Sequence, residues 1–328
     1  MHQPVAVFTD TEDLDPEPGA RLLADAGFAV RVAGSRDPDV LAATAEDAVA
    51  LIVGYARVDD ALLDRLPHLR ILATMSAGHD MIDTAAARRR GLWVTNLPDA
   101  ATEDVAVHAL ASALSLVRDL PRADSVVRTG GWNADFAVPA DGAPLPRRAS
   151  ELTLGLVGLG RIARKLATLA APVFGRVAAC DPYADPALWP EGVERYESLD
   201  ALAAATDVLS LHLPLTPSTH GLVDAKVLDR MRPGSFLVNV ARGELVAPDA
   251  LVDAVDTGRL AGAALDVFPV EPPPADDPLR HHPRIRLSPH SAYLTDASRR
   301  AYVCKPAENV IAWHRTGRPL TPAVDPTA

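Results

Sequence analysis

The stretch Leu154-Gly155-Leu156-Val157-Gly158-Leu159-Gly160-Arg161-Ile162-Ala163 narrows the possible folds more than any other part of the chain. An apolar run ends in Gly-x-Gly-x-x-Ala just where a helix can begin. Gly158 permits a tight turn, Gly160 lets a pyrophosphate approach the backbone, and Ala163 keeps helix and strand close. The helix start presents free N–H groups and a positive dipole end to phosphate. Two glycines also occur at purely structural strand–helix turns, so the surroundings must decide. Asp181 follows the next apolar run and stands 21 positions beyond Gly160 (181 − 160). An acid about 20 residues on is what bonds the adenosine ribose hydroxyls of a dinucleotide. A carboxylate there repels a 2′-phosphate, so NAD is expected over NADP.

The motif opens the second of two alternating series. In the first, strand-like runs at Val5–Phe8, Phe28–Val32, Ala48–Val53, Ile71–Ala73 and Leu92–Thr95 alternate with helical stretches at Arg21–Ala26, Val40–Ala45, Ala61–Leu66 and Ile82–Arg90. Gly27 and Gly91 stand where helix ends need a left-handed residue. A long apolar helix is expected from about Val105 to Leu120. The Gly-, Pro- and Asp-rich segment Thr129–Pro146 has no periodicity and reads as an extended excursion. The second series has strands at Leu154–Gly158, Val177–Cys180, Val208–Leu211, Phe236–Val240, Ala261–Leu265 and Ile285–Leu287. Its helices fall near Ile162–Ala171, Leu199–Ala204, Ala225–Met231 and Pro248–Asp256, and a last helix spans about Asp296–Arg315. Short apolar strands alternating with helices imply α/β architecture, here two doubly wound parallel sheets covered on both faces.

Composition removes whole classes of function. The 328 residues carry a formal net charge of −11, which argues against nucleic acid or an anionic membrane as partner. Met1–Asp10 lacks the basic and long apolar parts of a signal peptide, and no run reaches the roughly 18 apolar residues of a spanning helix. Cys180 and Cys304 make neither a disulfide framework nor a metal pattern, so a cytoplasmic location and no metal are expected.

Three polar residues fall at the ends of later strands, where α/β sheets place ligands. Arg242 follows Val238-Asn239-Val240-Ala241, Glu271 lies in Asp266-Val267-Phe268-Pro269-Val270-Glu271-Pro272, and His290 lies in Ser288-Pro289-His290-Ser291-Ala292. Each alone also reads as a solvated cap, a loop charge or a packed histidine. Together they supply what hydride transfer to a 2-oxo acid requires. A guanidinium holds the carboxylate and polarises the carbonyl. An imidazolium donates the proton, and a carboxylate beside it favours that charged form and fixes its tautomer.

With Gly155–Ala163, His212-Leu213-Pro214-Leu215-Thr216, Met231-Arg232-Pro233-Gly234, Asn239–Gly243, Leu265–Pro272 and Pro289-His290, the chain resembles the D-isomer-specific 2-hydroxyacid dehydrogenases. The resemblance covers nearly the whole length. It implies a catalytic Arg242–Glu271–His290 triad. It implies cofactor contacts from Gly158, Gly160, Arg161, Ile162, Asp181, Leu213, Pro214, Val240, Ala241, Asp266 and His290, with Asp266 receiving the nicotinamide carboxamide. It implies a flavodoxin-like substrate domain (1–103 and 296–328), a Rossmann NAD-binding domain (104–295) and a homodimer formed through the latter. Met75-Ser76-Ala77-Gly78-His79-Asp80 resembles the family's substrate loop, in which Ser76, Ala77 and Gly78 would offer N–H groups to a carboxylate. An ordinary strand–helix turn would look the same.

The chain departs from the family's pattern at a few positions. Val107 replaces a usual Glu, Ala163 replaces a third Gly, and Ser291-Ala292-Tyr293-Leu294 replaces a smaller segment. Tyr293 could therefore meet the substrate's side chain, and His79 stands where a small apolar residue is common. The resemblance also admits an NAD(H)-sensing corepressor-like binding protein that keeps the triad. Glu271 argues against a formate-oxidising relative, which carries Gln there.

Overall fold

The computed structural model describes residues 3–11, 14–138 and 145–327; residues 1–2, 12–13, 139–144 and 328 lie outside the described residues, 139–144 being part of the expected excursion. The chain divides into two compact units, Met1–Ala101 with Leu294–Ala328, and Thr102–Tyr293.

The first stretch of chain runs β1 (Val5–Phe8), α1 (Glu17–Asp25), β2 (Ala29–Val32), α2 (Pro38–Thr44), β3 (Ala48–Val53), α3 (Asp60–Asp64), β4 (Ile71–Thr74), α4 (Thr84–Arg89) and β5 (Trp93–Thr95). Next come α5 (Thr102–Arg118), α6 (Leu120–Arg128) and α7 (Asn133–Ala137). The second series is β6 (Thr153–Val157), α8 (Arg161–Ala170), β7 (Arg176–Cys180), β8 (Val193–Arg195), α9 (Leu199–Ala205), β9 (Val208–Leu211), α10 (Ala225–Arg230), β10 (Ser235–Asn239), α11 (Pro248–Asp256), β11 (Leu260–Leu265), α12 (Pro278–His281) and β12 (Ile285–Leu287). The helix α13 (Asp296–Thr316) and strand β13 (Pro322–Val324) close the chain.

In the first unit the sheet order is β13-β5-β4-β3-β1-β2, parallel except where β13 pairs antiparallel with β5. The parallel part is the flavodoxin-like order, with its topological switch between β1 and β3. Short helices start on aspartates that accept N–H groups of the first turn, as Asp37, Asp59 and Asp83 do. Gly19 lets α1 approach α13, since a Cβ there would lie 2.2 Å from the Val303 carbonyl oxygen. At the switch point the buried Asp10 carboxylate accepts the N–H groups of Tyr55 and Ala56 at 2.8 and 2.9 Å and pairs with Arg36 at 3.2 Å. It thereby fixes the loop after β3.

In the second unit the order is β12-β11-β10-β9-β6-β7-β8, all parallel, with the switch between β6 and β9. Alternate residues feed two cores. Leu154, Leu156, Val177, Ala179, Phe236 and Val238 face α5 and α8, while Ala178, Cys180, Leu209, Leu211 and Leu237 face the side of α9, α10 and α11. The small residues Ala106, Ala109 and Ala113 let α5 lie close against this sheet.

Three expectations need correction. The long helix ends at Arg118 rather than Leu120, because Asp119 turns left-handed (φ 49°) and Pro121 cannot continue the ladder. The excursion carries the helix α7, whose start is held by the Asp135 carboxylate on the Trp132 N–H at 2.8 Å. The strands β8 and β13, three residues each, give no local apolar signal, and β13 makes the first sheet mixed rather than purely parallel.

Candidate active site

All the strong candidates of the second unit lie at the C-terminal edge of its sheet. At the end of β6, Gly158 has φ +86°, and a Cβ there would fall 2.6 Å from the His212 carbonyl oxygen. Both facts require glycine, and they pack the turn against the His212–Leu213 loop that ends β9. Pro214 continues that loop, its carbonyl accepting the Thr219 hydroxyl at 2.8 Å. Gly160 differs: a Cβ there would meet nothing within 4 Å. The space outside it is open, and α8 begins there without a side-chain cap. Arg161 and Ile162 form the first turn of α8, with Ile162 packed on the core.

Asp181 follows β7, and its carboxylate accepts the Leu159 N–H at 2.7 Å and the Tyr183 N–H at 2.9 Å. One oxygen therefore ties the acid to the glycine turn, and each oxygen keeps a second lone pair for a hydroxyl. An uncapped helix start, an open glycine and an anchored acid fit a dinucleotide. Those residues would hold its pyrophosphate and adenosine ribose. His212, behind the turn, is bonded to Ser210 at 2.8 Å, and burial lowers its pKa to about 4, so its ring is neutral.

Arg242 follows β10. The buried Asn239 shapes its loop by donating to the Arg242 carbonyl oxygen at 2.8 Å and accepting the Ala241 N–H at 3.0 Å. Val240 packs on the α5–α8 core and Ala241 on the opposite one. The next residue, Gly243, lies against Phe268 and Pro269, where a Cβ would fall 2.0 Å from the Phe268 carbonyl carbon. This close approach brings the Arg242 loop to the segment that carries Glu271.

Glu271 and His290 meet directly, with Oε2 at 2.6 Å from Nδ1. The other oxygen, Oε1, accepts the Phe268 N–H at 2.9 Å. Burial pushes the Glu271 carboxyl up. The hydrogen bond and charge of His290, the Phe268 N–H and the Arg242 charge more than offset this, and the acid is held below its ordinary value. The carboxylate is therefore ionised at neutral pH.

His290 has φ +50°, a conformation uncommon outside glycine, and Asp266 secures it. The Asp266 carbonyl oxygen accepts the His290 N–H at 2.7 Å. The carboxylate, only 1% exposed, accepts the Ser288 hydroxyl at 2.5 Å and the N–H groups of Ser291 and Ala292 at 2.9 Å each. Three of its roughly four acceptor positions are thus spent on the loop. From α5, His108 adds a bond to the Ser288 hydroxyl at 3.1 Å. Ser288 and His108 were not singled out from sequence for this place. Their partners lie 22 and 180 positions away, and no local pattern announces such a contact. Tyr293 sets its ring edge-on to His290, centroids 6.3 Å apart.

In the first unit, the carbonyls of the loop after β4 are taken up by hydrogen bonds. Ser76 O accepts from Leu97 N–H and the Thr74 hydroxyl, Ala77 O from the Asn96 amide, and Gly78 O from the Ser76 hydroxyl. Among the described residues, no acceptor meets the N–H groups of Ser76, Ala77 or Gly78. His79 is near this loop, with Nδ1 buried and unpartnered among the described residues.

Residues 110–292 match the family model for the D-isomer specific 2-hydroxyacid dehydrogenase, NAD binding domain. A glyoxylate reductase of Thermofilum pendens is 33% identical over 315 residues, covering 90% of this chain and 88% of the relative. A D-3-phosphoglycerate dehydrogenase of Mycobacterium bovis is 39% identical over 276 residues, covering 83% of this chain. The chain spans only about half (50%) of that longer relative. Among solved structures, an NADPH-dependent glyoxylate/hydroxypyruvate reductase of Sinorhizobium meliloti, in complex with NADP and malonate, superposes with a TM-score of 0.86 at 32% identity, covering 99% of this chain and 98% of that one. The chain therefore belongs to the D-isomer specific 2-hydroxyacid dehydrogenase family, and its second unit contains that family's NAD-binding domain.

Proposed function

We propose that the protein transfers a hydride between NAD and C2 of a small D-2-hydroxy or 2-oxo acid. The observation that carries this reading is the 2.6 Å contact between Glu271 and His290, beside Arg242 and on the same sheet edge as the glycine turn. Nicotinamide, when bound, supplies the hydride for reduction and takes it in oxidation. Gly158, Gly160 and the start of α8 hold the pyrophosphate, and Asp181 binds the ribose hydroxyls. The Asp181 charge disfavours a 2′-phosphate, so NAD is preferred to NADP. Arg242 pairs with the substrate carboxylate and polarises the adjacent carbonyl. With Nδ1 engaged by Glu271, His290 moves the proton at Nε2, donating in reduction and accepting in oxidation.

Asp266 serves this scheme by holding the His290 loop; a carboxamide would take its one remaining acceptor position. The first unit acts as the substrate domain, with the open amides of Ser76, Ala77 and Gly78 as its carboxylate-holding element. Tyr293, beside His290, contacts the substrate's side chain. A homodimer belongs to the same reading, supported by exposed apolar side chains on and around α6 and α7, among them Leu120, Val127 and Trp132. So does a cytoplasmic location; among the described residues no helix is long and apolar enough to cross a membrane.

His290→Ala tests the assignment. It should lower kcat by about 10²–10⁴-fold, the usual worth of a general acid, and leave NADH affinity intact. Near-normal turnover in that variant would show that His290 is not the proton donor.

A further inference from the structure

The hydrogen bonds around Asp266 have a forced direction. Its carboxylate, 1% exposed, accepts the Ser291 N–H on Oδ1 and the Ala292 N–H on Oδ2, each at 2.9 Å. A carboxylate only accepts, so in the 2.5 Å contact between Oδ1 and the Ser288 hydroxyl the proton comes from the serine. A hydroxyl has one proton to give. In its second contact, at 3.1 Å, Ser288 must therefore accept, and the donor is His108 Nε2. The chain runs one way, from the His108 N–H to the Ser288 O–H to Asp266, and it assigns a proton of the His108 ring to Nε2.

Each link is held by the fold. Ala106 and Ala109, buried in the core, seat the turn of α5 that carries His108. The Leu265 carbonyl oxygen at the end of β11 accepts the Ser288 N–H at 3.0 Å. His108 and Ser288 also lie near opposite ends of the second unit, Thr102 and Tyr293, so their contact ties those ends together. The relay decides which Asp266 oxygen stays open. Ser288 and Ser291 fill Oδ1, while among the described residues Oδ2 has only the Ala292 N–H. With a lone pair of Ser288 engaged by His108, the hydroxyl proton stays on Oδ1. Without that donor the hydroxyl can turn away, and the next donor to arrive can settle on either oxygen.

We propose that His108 is a positioning residue for the nicotinamide end of the cofactor: its Nε2–H, relayed by Ser288, sets the Asp266 carboxylate to receive the carboxamide N–H. This rests on the reading, given above, that Asp266 receives that group. A bond that only packs α5 would, when lost, weaken every part of the cofactor alike. The relay predicts a loss confined to one amide.

The test is titration of the intact protein with three ligands: NADH, its reduced 3-acetylpyridine analogue, in which a methyl group replaces the carboxamide NH₂, and ADP-ribose, which lacks the nicotinamide ring. Wild type should bind NADH more tightly than the analogue. His108→Leu, which keeps bulk without the donor, and Ser288→Ala should each weaken NADH about two- to tenfold, the net worth of one hydrogen bond. Both should leave ADP-ribose unchanged and narrow the preference for NADH over the analogue. His108→Gln, whose amide offers a donor in the place of Nε2, should hold NADH affinity within about twofold of wild type. Should His108→Leu fail to fold, Ser288→Ala and His108→Gln carry the same comparison. Unaltered NADH binding in the Leu and Ala variants, equal loss of NADH and ADP-ribose, or no rescue by Gln would overturn the role of His108. Equal binding of NADH and the analogue by wild type would instead remove the carboxamide from Asp266, and the inference with it.

Discussion

Replacing Glu271 by Gln removes one charge while keeping size and shape, and the surroundings dictate how the new amide must sit. Glu271 Oε1 accepts the Phe268 N–H at 2.9 Å and Oε2 faces His290 Nδ1 at 2.6 Å. In the variant the amide oxygen must stay on the Phe268 N–H, because a donor there would meet a donor. The NH₂ group then points at Nδ1, which can accept it only when unprotonated. The imidazolium, which carries a proton on both nitrogens, loses its counter-charge and gains a donor–donor clash. Proton delivery from His290 is therefore blocked by geometry, and kcat should fall by about 10²–10⁴-fold, some 3–5 kcal/mol of barrier.

Steady-state kinetics with a 2-oxo acid and NADH, alongside a fluorescence titration of NADH, would read this out, with cofactor affinity unchanged. A kcat within about threefold of wild type would refute the orienting role given to Glu271. The same residue predicts a pH dependence of stability. Its folded-state pKa is depressed, so its contribution is present above the ordinary glutamate value of about 4.3 and is lost as pH falls through the lower folded value. Wild type and Glu271→Gln should therefore differ in denaturant midpoint at neutral pH and converge in acid.

Asp181→Ala should weaken NADH by about 10–100-fold, since it removes charged acceptors of the ribose and the anchor of the Leu159 N–H together. NADPH binding should change less in the same titration, because relief of repulsion offsets the loosened turn; an unchanged NADH Kd would remove Asp181 from the site. His212 is neutral in the fold with a pKa of about 4, whereas the unfolded chain takes up its proton near 6.5. Stability should therefore fall as pH drops through this window, by roughly 2 kcal/mol between about pH 7 and about pH 5. His212→Asn should flatten that slope in urea melts.

The nucleotide half of the account was legible because its signals are local. The turn at Gly158, the open approach at Gly160 and the acid on the next strand lie within one β–α–β stretch, and the residues after β10, β11 and β12 sit where strand-end logic puts them. What sequence did not show is long-range. Asp266 reads as a cofactor contact, yet its carboxylate is largely committed to Ser288, Ser291 and Ala292. That commitment arises only when β11 and β12 pair. The left-handed turn at His290 is likewise invisible, since histidine does not announce positive φ as glycine does. The break at Asp119 could have been read from Pro121, which cannot extend a helix, but apolar periodicity across the junction masked it. The strand β13 forms because Val324 and Pro322 find β5 about 230 residues earlier, a pairing no three-residue run can signal.

The central claim is hydride transfer to a 2-oxo acid. The most direct test is NADH oxidation, followed by nicotinamide absorbance, by the purified protein against 2-oxo acids of graded size, with NADPH in parallel. The account predicts turnover with at least one acid and a preference for NADH over NADPH. A silent panel from protein that still binds NADH would contradict it and favour a sensing role.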